Sequence, residues 1–259
     1  MRLEERLRRV AESEEAVGAF FAALPPAVAD VLRTFPRDPD IAIYSIYPAS
    51  IVSIRDLNKR RADEILRERF SATLGPPPHD ETAIGGLLFA SGARTVAFAE
   101  SGHGEHYERF TKAHELGHLW LEFVLARLLG TPVSPVLAFR CEPADAPDSP
   151  DAPCRTEAAA GYSENETKAN SFGASYLMPE GEVVRLYDKA RAESDFSWWE
   201  TAQSMCSRFN VSEWAMGYRL WELGKLKWEQ YQQLKRTSMV KADMIDDPTQ
   251  VYIDPDPSY

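Results

Sequence analysis

Residues 110–124 read Phe-Thr-Lys-Ala-His-Glu-Leu-Gly-His-Leu-Trp-Leu-Glu-Phe-Val, and the pentapeptide His114-Glu115-Leu116-Gly117-His118 decides how the rest of the chain is read. Two histidines four residues apart on a helix lie on one face, stacked one turn apart. Two such imidazoles can share one Zn²⁺. Glu115 lies roughly 100° around the same turn, near the metal but poorly aimed to ligate it. There a carboxylate can take a proton from a water that zinc has made acidic, and later hand it to a leaving amine. Leu116 and Gly117 do not break the helix. The apolar flank Leu119, Trp120, Leu121, Phe123 and Val124 would bury it and stiffen the site.

A lone pentapeptide of this kind also arises by chance on surface helices. A zinc site on two histidines needs a third protein ligand and an open position. The downstream stretch offers Glu157, Glu164 and Glu166. Glu164 is adequately explained as a first-turn carboxylate facing the helix dipole. Glu166 is preferred because Asn170 follows one turn later on the same face. One helix would then supply a carboxylate ligand and an amide oxygen to receive a histidine Nδ1–H.

The surroundings fit an α+β, mostly helical chain. Residues 1 to about 35 have helical spacing, broken at Pro25-Pro26. Residues 41–54, rich in Ile, Val and Tyr, predict a strand interrupted by Pro48. Asp56 to Phe70 predicts a basic amphipathic helix. Two short apolar runs around Ser91-Gly92 predict a hairpin, a small antiparallel sheet ahead of the zinc helix. That helix should run from about Glu105 to Leu129 and stop at Gly130 and Pro132. Residues 131–163 predict a flexible Pro-rich loop. A second helix is expected from about Glu164 to Met178, and two more between Ser197 and Gly224, joined at Asn210-Val211-Ser212.

Composition narrows the partners. There are 40 acidic and 29 basic residues, a formal charge of −11, so phosphate backbones are disfavoured as the main partner. Three cysteines, Cys141, Cys154 and Cys206, are too few for a disulfide framework. The charged N-terminus has no apolar core like a secretory signal, and no apolar run approaches a membrane span. These features predict a cytoplasmic protein with no membrane partner. His103 and His106 lie just upstream of His114 and are expected as loop residues at the mouth of the site; Tyr107 could reach an oxyanion but is expected to pack. Cys154, and more weakly Cys141, could place a thiolate on the open metal position as a switch. The tryptophans from Trp198 to Trp228 read as core or as a groove for a helical segment.

Phe110-Thr111-x-Ala113-His-Glu-Leu-Gly-His, then Glu166-x-x-Ala169-Asn170-x-Phe172-x-Ala174-x-x-Leu177-Met178-Pro179, resembles the ImmA/IrrE metallopeptidases. Arg208-Phe209-x-Val211-Ser212 through Arg219-Leu220-x-x-Leu223-Gly224 is similar to that family's C-terminal helical segment. The resemblance implies a small zincin-like domain over residues 76–235, with zinc on His114, His118 and Glu166 and Glu115 as general base. It implies a protein substrate, a helix-turn-helix repressor whose cleavage releases a stress, mobile-element or defence operon. Residues 1–75 form an N-terminal region of unassigned role, and 236–259 an acidic tail. The competing expectation is a metallopeptidase-like sensor or binding module that does not cleave.

Overall fold

The computed structural model describes residues 2–74, 83–91, 94–130, 136–141 and 160–236. Helices α1 (Leu3–Ala23) and α2 (Pro26–Leu32) fall on either side of the Pro25-Pro26 break. The next segment corrects an expectation: Pro39–Ile46 is a helix, α3, and only Ser50–Ile54 is a strand, β1. The reason is local. The Asp38 carboxylate accepts hydrogen bonds from the Asp40 and Ile41 amides, and Pro39 occupies the first helical turn. A good N-cap followed by proline outweighs the strand preference of Ile and Tyr.

Helix α4 (Lys59–Phe70) follows, capped by Asn58, and then the hairpin β2 (Ile84–Ser91) and β3 (Arg94–Glu100). The helix that begins at Glu105 runs as α5 (Glu105–His118), a π-helical segment (Leu119–Val124) and α6 (Leu125–Leu128). The sequence predicted one regular helix here. The backbone instead widens by one residue directly after His118, while both Trp120 and Phe123 stay buried. Residues 131–163 are not all loop. Val136–Cys141 is a strand, β4, and α7 (Ala160–Leu177) starts before Glu164. Helices α8 (Glu180–Glu193), α9 (Trp198–Phe209) and α10 (Glu213–Glu222) complete the named elements, and residues 228–236 are also helical. Ser212 caps α10 through the Ala215 amide, and Gly224 takes a positive φ of 69° at the helix end. The tail beyond residue 236 lies outside the described residues.

The sheet order is β1-β3-β2-β4. It is mixed, not antiparallel throughout, because β1 runs parallel to β3. The Ile84 amide donates to the Leu57 carbonyl, so β2 starts at the end where β1 finishes. With β3 between them, β1 and β3 must point the same way. Side chains alternate across the sheet. Leu87, Val96 and Phe98 pack with Leu57, Ala62 and Leu66 of the α4 layer. Leu88, Ala90 and Ala97 pack on the opposite face, with Ala113, Leu116 and Trp120 of the α5 layer.

The N-terminal region contributes to that second layer. Phe20 of α1 is fully buried and meets Trp120, Phe172 and Tyr176 edge-on, with ring centroids 5.7, 6.1 and 5.9 Å away. It therefore touches both helices that carry the candidate ligands. Arg37 donates to the Tyr176 carbonyl (2.7 Å), and the Tyr176 hydroxyl donates to the Asp38 carbonyl (2.9 Å), tying the α2–α3 connection to α7. Among the described residues, no helix is long and apolar enough to cross a membrane.

Candidate metal centre

Helices α5 and α7 come close because small residues face each other where they cross. A Cβ on Gly117 would stand 3.0 Å from the Ala169 Cα, and one on Gly173 3.1 Å from the His114 nitrogen. Both separations are tighter than ordinary carbon contacts. Glu166, Asn170 and Gly173 are spaced four and three residues apart, so one face of α7 carries all three towards α5. The crossing therefore delivers a carboxylate and an amide directly onto the histidine pair.

The resulting cluster is small. His114 Nε2 and His118 Nε2 are 3.0 Å apart. Glu166 Oε2 is 3.2 Å from His114 Nε2, and Glu166 Oε1 is 3.2 Å from His118 Nε2. Donors about 2.0–2.1 Å from a common ion stand roughly 3.3 Å apart in a tetrahedral arrangement. Two imidazole nitrogens and a carboxylate at these separations fit a metal ion. Among the described residues, this is the one group of three such side chains whose donor atoms converge. His114 and His118 are buried and Glu166 nearly so.

The outer ring nitrogens are fixed as well. His114 Nδ1 faces Asn170 Oδ1 at 2.9 Å, the contact that the sequence spacing predicts. An amide oxygen only accepts, so His114 carries its proton on Nδ1 and turns the Nε2 lone pair inward. His118 Nδ1 pairs with Glu122 of the π-helical segment, and Asn165 Nδ2 donates to the other Glu122 oxygen at 2.8 Å. Glu122 and Asn165 escaped the sequence reading. The usable signal was the spacing of Glu122, four residues beyond His118.

Electrostatics follow from this crowding. Burial alone would lower the His118 pKa, but Glu122, Glu166 and Glu115 outweigh it and raise the value to about 10. Burial would raise the Glu166 pKa, yet the two imidazoles bring it down to about 2. The carboxylates around His118 thus favour a positive charge where the ring nitrogens and Glu166 converge.

Glu115 is fully buried beside the cluster, packed against strand β2 at Gly86. Gly86 also escaped the sequence reading. A glycine inside a strand pattern, here in Gly85-Gly86, is the signal for a close approach of another group. His103 makes an edge-on ring contact with Tyr107 at 5.1 Å and stands outside the converging group, as does His106. Glu164 pairs with Lys168 on the surface. Glu157 and Cys154, the residue of the expected thiolate switch, lie outside the described residues, and Cys141 falls within β4. Trp221, Trp228 and Tyr231 pack ring against ring around the C-terminal helices, with Trp221 and Tyr231 stacked and Trp228 tilted against both.

Comparison with protein-family models and with curated proteins finds no match to this chain.

Proposed function

We propose that the chain is a zinc metalloendopeptidase with a zincin-like fold, holding its metal on His114, His118 and Glu166. The observation that carries this reading is the convergence of those three side chains beside a buried carboxylate, Glu115, on the same helix turn. Two imidazoles and one carboxylate leave a coordination position for water, the donor set of a catalytic rather than a closed structural zinc site. Bound zinc would supply a water acidic at neutral pH and polarise a scissile carbonyl.

The chain's own residues account for the rest. Glu115 takes the proton from the attacking water and returns it to the amine that leaves. Its position next to Gly86 confines the carboxylate to one side of the cluster. Asn170 and Glu122 hold the imidazoles in one tautomer and one orientation. The likeness to the ImmA/IrrE metallopeptidases supports a protein substrate, and among proteins a helix-turn-helix repressor, in the cytoplasm.

The depth of the site favours a second reading. Glu115 and both histidines have at most 1% of their surface exposed. A binding module that holds a metal and senses a partner without cleaving it would also bury them. One experiment separates the two. The purified protein is assayed for zinc and incubated with helix-turn-helix repressors of its own organism, comparing wild type with Glu115→Gln. The peptidase reading expects stoichiometric zinc in both and cleavage by wild type alone. Zinc with no cleavage by wild type favours the binding module. Cleavage by both removes Glu115 from the mechanism.

A further inference from the structure

Glu122 and Asn165 are not part of the set that converges on the metal position, yet their contacts lead straight to it. Glu122 lies one turn after His118, at the point where the helix widens, and its carboxylate faces His118 Nδ1. Its second oxygen accepts from the Asn165 amide at 2.8 Å, and Asn165 belongs to α7, one residue before Glu166. The same two helices that supply the ligands thus supply a separate chain, Asn165 to Glu122 to His118. On the other histidine, His114 Nδ1 faces a neutral group, the Asn170 amide oxygen, at 2.9 Å.

We propose that Glu122, braced by Asn165, is a positioning residue that makes His118 the stronger of the two histidine ligands. The physical basis is simple. A carboxylate that accepts the Nδ1–H pulls that proton away from the ring and leaves Nε2 richer in electron density than a neutral acceptor does. A negative charge close to the ring also favours a cation at Nε2 in a buried setting, where screening is weak. The brace matters because a free glutamate side chain has several rotamers. Asn165 selects the one that faces the ring, and it links the π-helical turn to the helix that carries Glu166. The four-residue spacing puts an acid of the helix that carries His118 beside His118 itself, where the helix widens.

The inference rests on the metal reading above, and its test separates the two. Zinc affinity is measured by competition with a chromophoric chelator for wild type, Glu122→Gln, Asn165→Ala and Glu164→Gln. Cobalt(II) is bound to the same proteins for its visible spectrum. Glu122→Gln keeps an acceptor oxygen but loses the charge, and zinc affinity is expected to fall about tenfold or more. Asn165→Ala, a change at an exposed residue that does not threaten folding, should fall in the same direction by a smaller factor. Glu164→Gln removes an equal charge from an exposed position paired with Lys168, and its affinity should match wild type. The cobalt bands should shift in Glu122→Gln and stay in place in Glu164→Gln. If wild type binds zinc tightly and Glu122→Gln lies within twofold of it, the inference is overturned while the metal site stands. Equal losses in Glu122→Gln and Glu164→Gln also overturn it, since general charge alone then explains the effect. If wild type binds neither metal, both readings fall together.

Discussion

Gly86 of β2 and Glu115 of α5 exclude any side chain between them: a Cβ on Gly86 would stand 2.4 Å from Glu115 Oε1 and 2.5 Å from the Thr111 methyl. The first contact is with the group proposed to move protons. Gly86→Ala therefore pushes on the base without touching the ligands. The expected outcome is at least a tenfold loss of peptidase activity with zinc content unchanged, and a stability loss of about 1–3 kcal/mol from overpacking. Thermal melting and zinc content measured beside activity check it. Loss of zinc together with activity would assign Gly86 to the fold rather than to Glu115.

Glu166 is the ligand whose loss should be most visible. It bridges both histidines at 3.2 Å and comes from the other helix. Glu166→Ala removes one of three protein donors and leaves two adjacent imidazoles with no carboxylate between them. Zinc retained after gel filtration should fall from one equivalent to a small fraction, while far-UV circular dichroism stays helical. Retention of a full equivalent would mean that the metal sits elsewhere.

How much of this was legible in the chain varies with the physics of each part. The group that could hold a metal was readable because its spacings are local: His118 stands four residues after His114, and Asn170 four residues after Glu166. The helix over Pro39–Ile46 was equally local, but Asp38-Pro39 had to be weighed above the apolar run that follows. Gly117 read only as a tolerated residue, because its contact with Ala169 depends on a crossing 52 positions away in the chain. Glu122 stood at a readable spacing, four residues beyond His118, but no regular period announced the π-helical turn that carries it. The strand at Val136–Cys141 lay inside a proline-rich stretch whose composition argued for loop. Its pairing with β2 is a tertiary fact, and it brings a register shift between Ile84 and Gly86.

Phe20 tests whether residues 1–75 belong to the same folding unit as the metal helices. It is fully buried, and its ring meets Trp120 as well as Phe172 and Tyr176 of α7 edge-on. Phe20→Ala should cost about 3–5 kcal/mol, the usual range for a large aromatic removed from a core. A single cooperative melting transition is expected to shift down as a whole. A variant that melts in two steps, with the metal site keeping the wild-type midpoint, would show that α1 folds apart from it.

The protonation of His118 makes metal binding and stability depend on pH in opposite ways. Its pKa is raised from an ordinary 6.5 to about 10 in the folded chain without metal. A raised value means that the imidazolium stabilises the fold fully below about 6.5 and that this contribution is lost as pH climbs towards 10. Glu166 acts at the other end. Its pKa is lowered from 4.5 to about 2, so its contribution is complete above 4.5 and fades as pH falls towards 2. For these two groups the metal-free protein is most stable between about 4.5 and 6.5. Zinc requires the His118 Nε2 lone pair, so it must displace a proton, and its affinity should rise with pH through the same interval in which the metal-free protein weakens. The gap in melting temperature between zinc-loaded and chelator-treated protein should therefore widen steadily from pH 6 to pH 9. Differential scanning calorimetry at matched ionic strength measures it. A gap that stays constant over that range would mean that no proton leaves His118 when the metal enters.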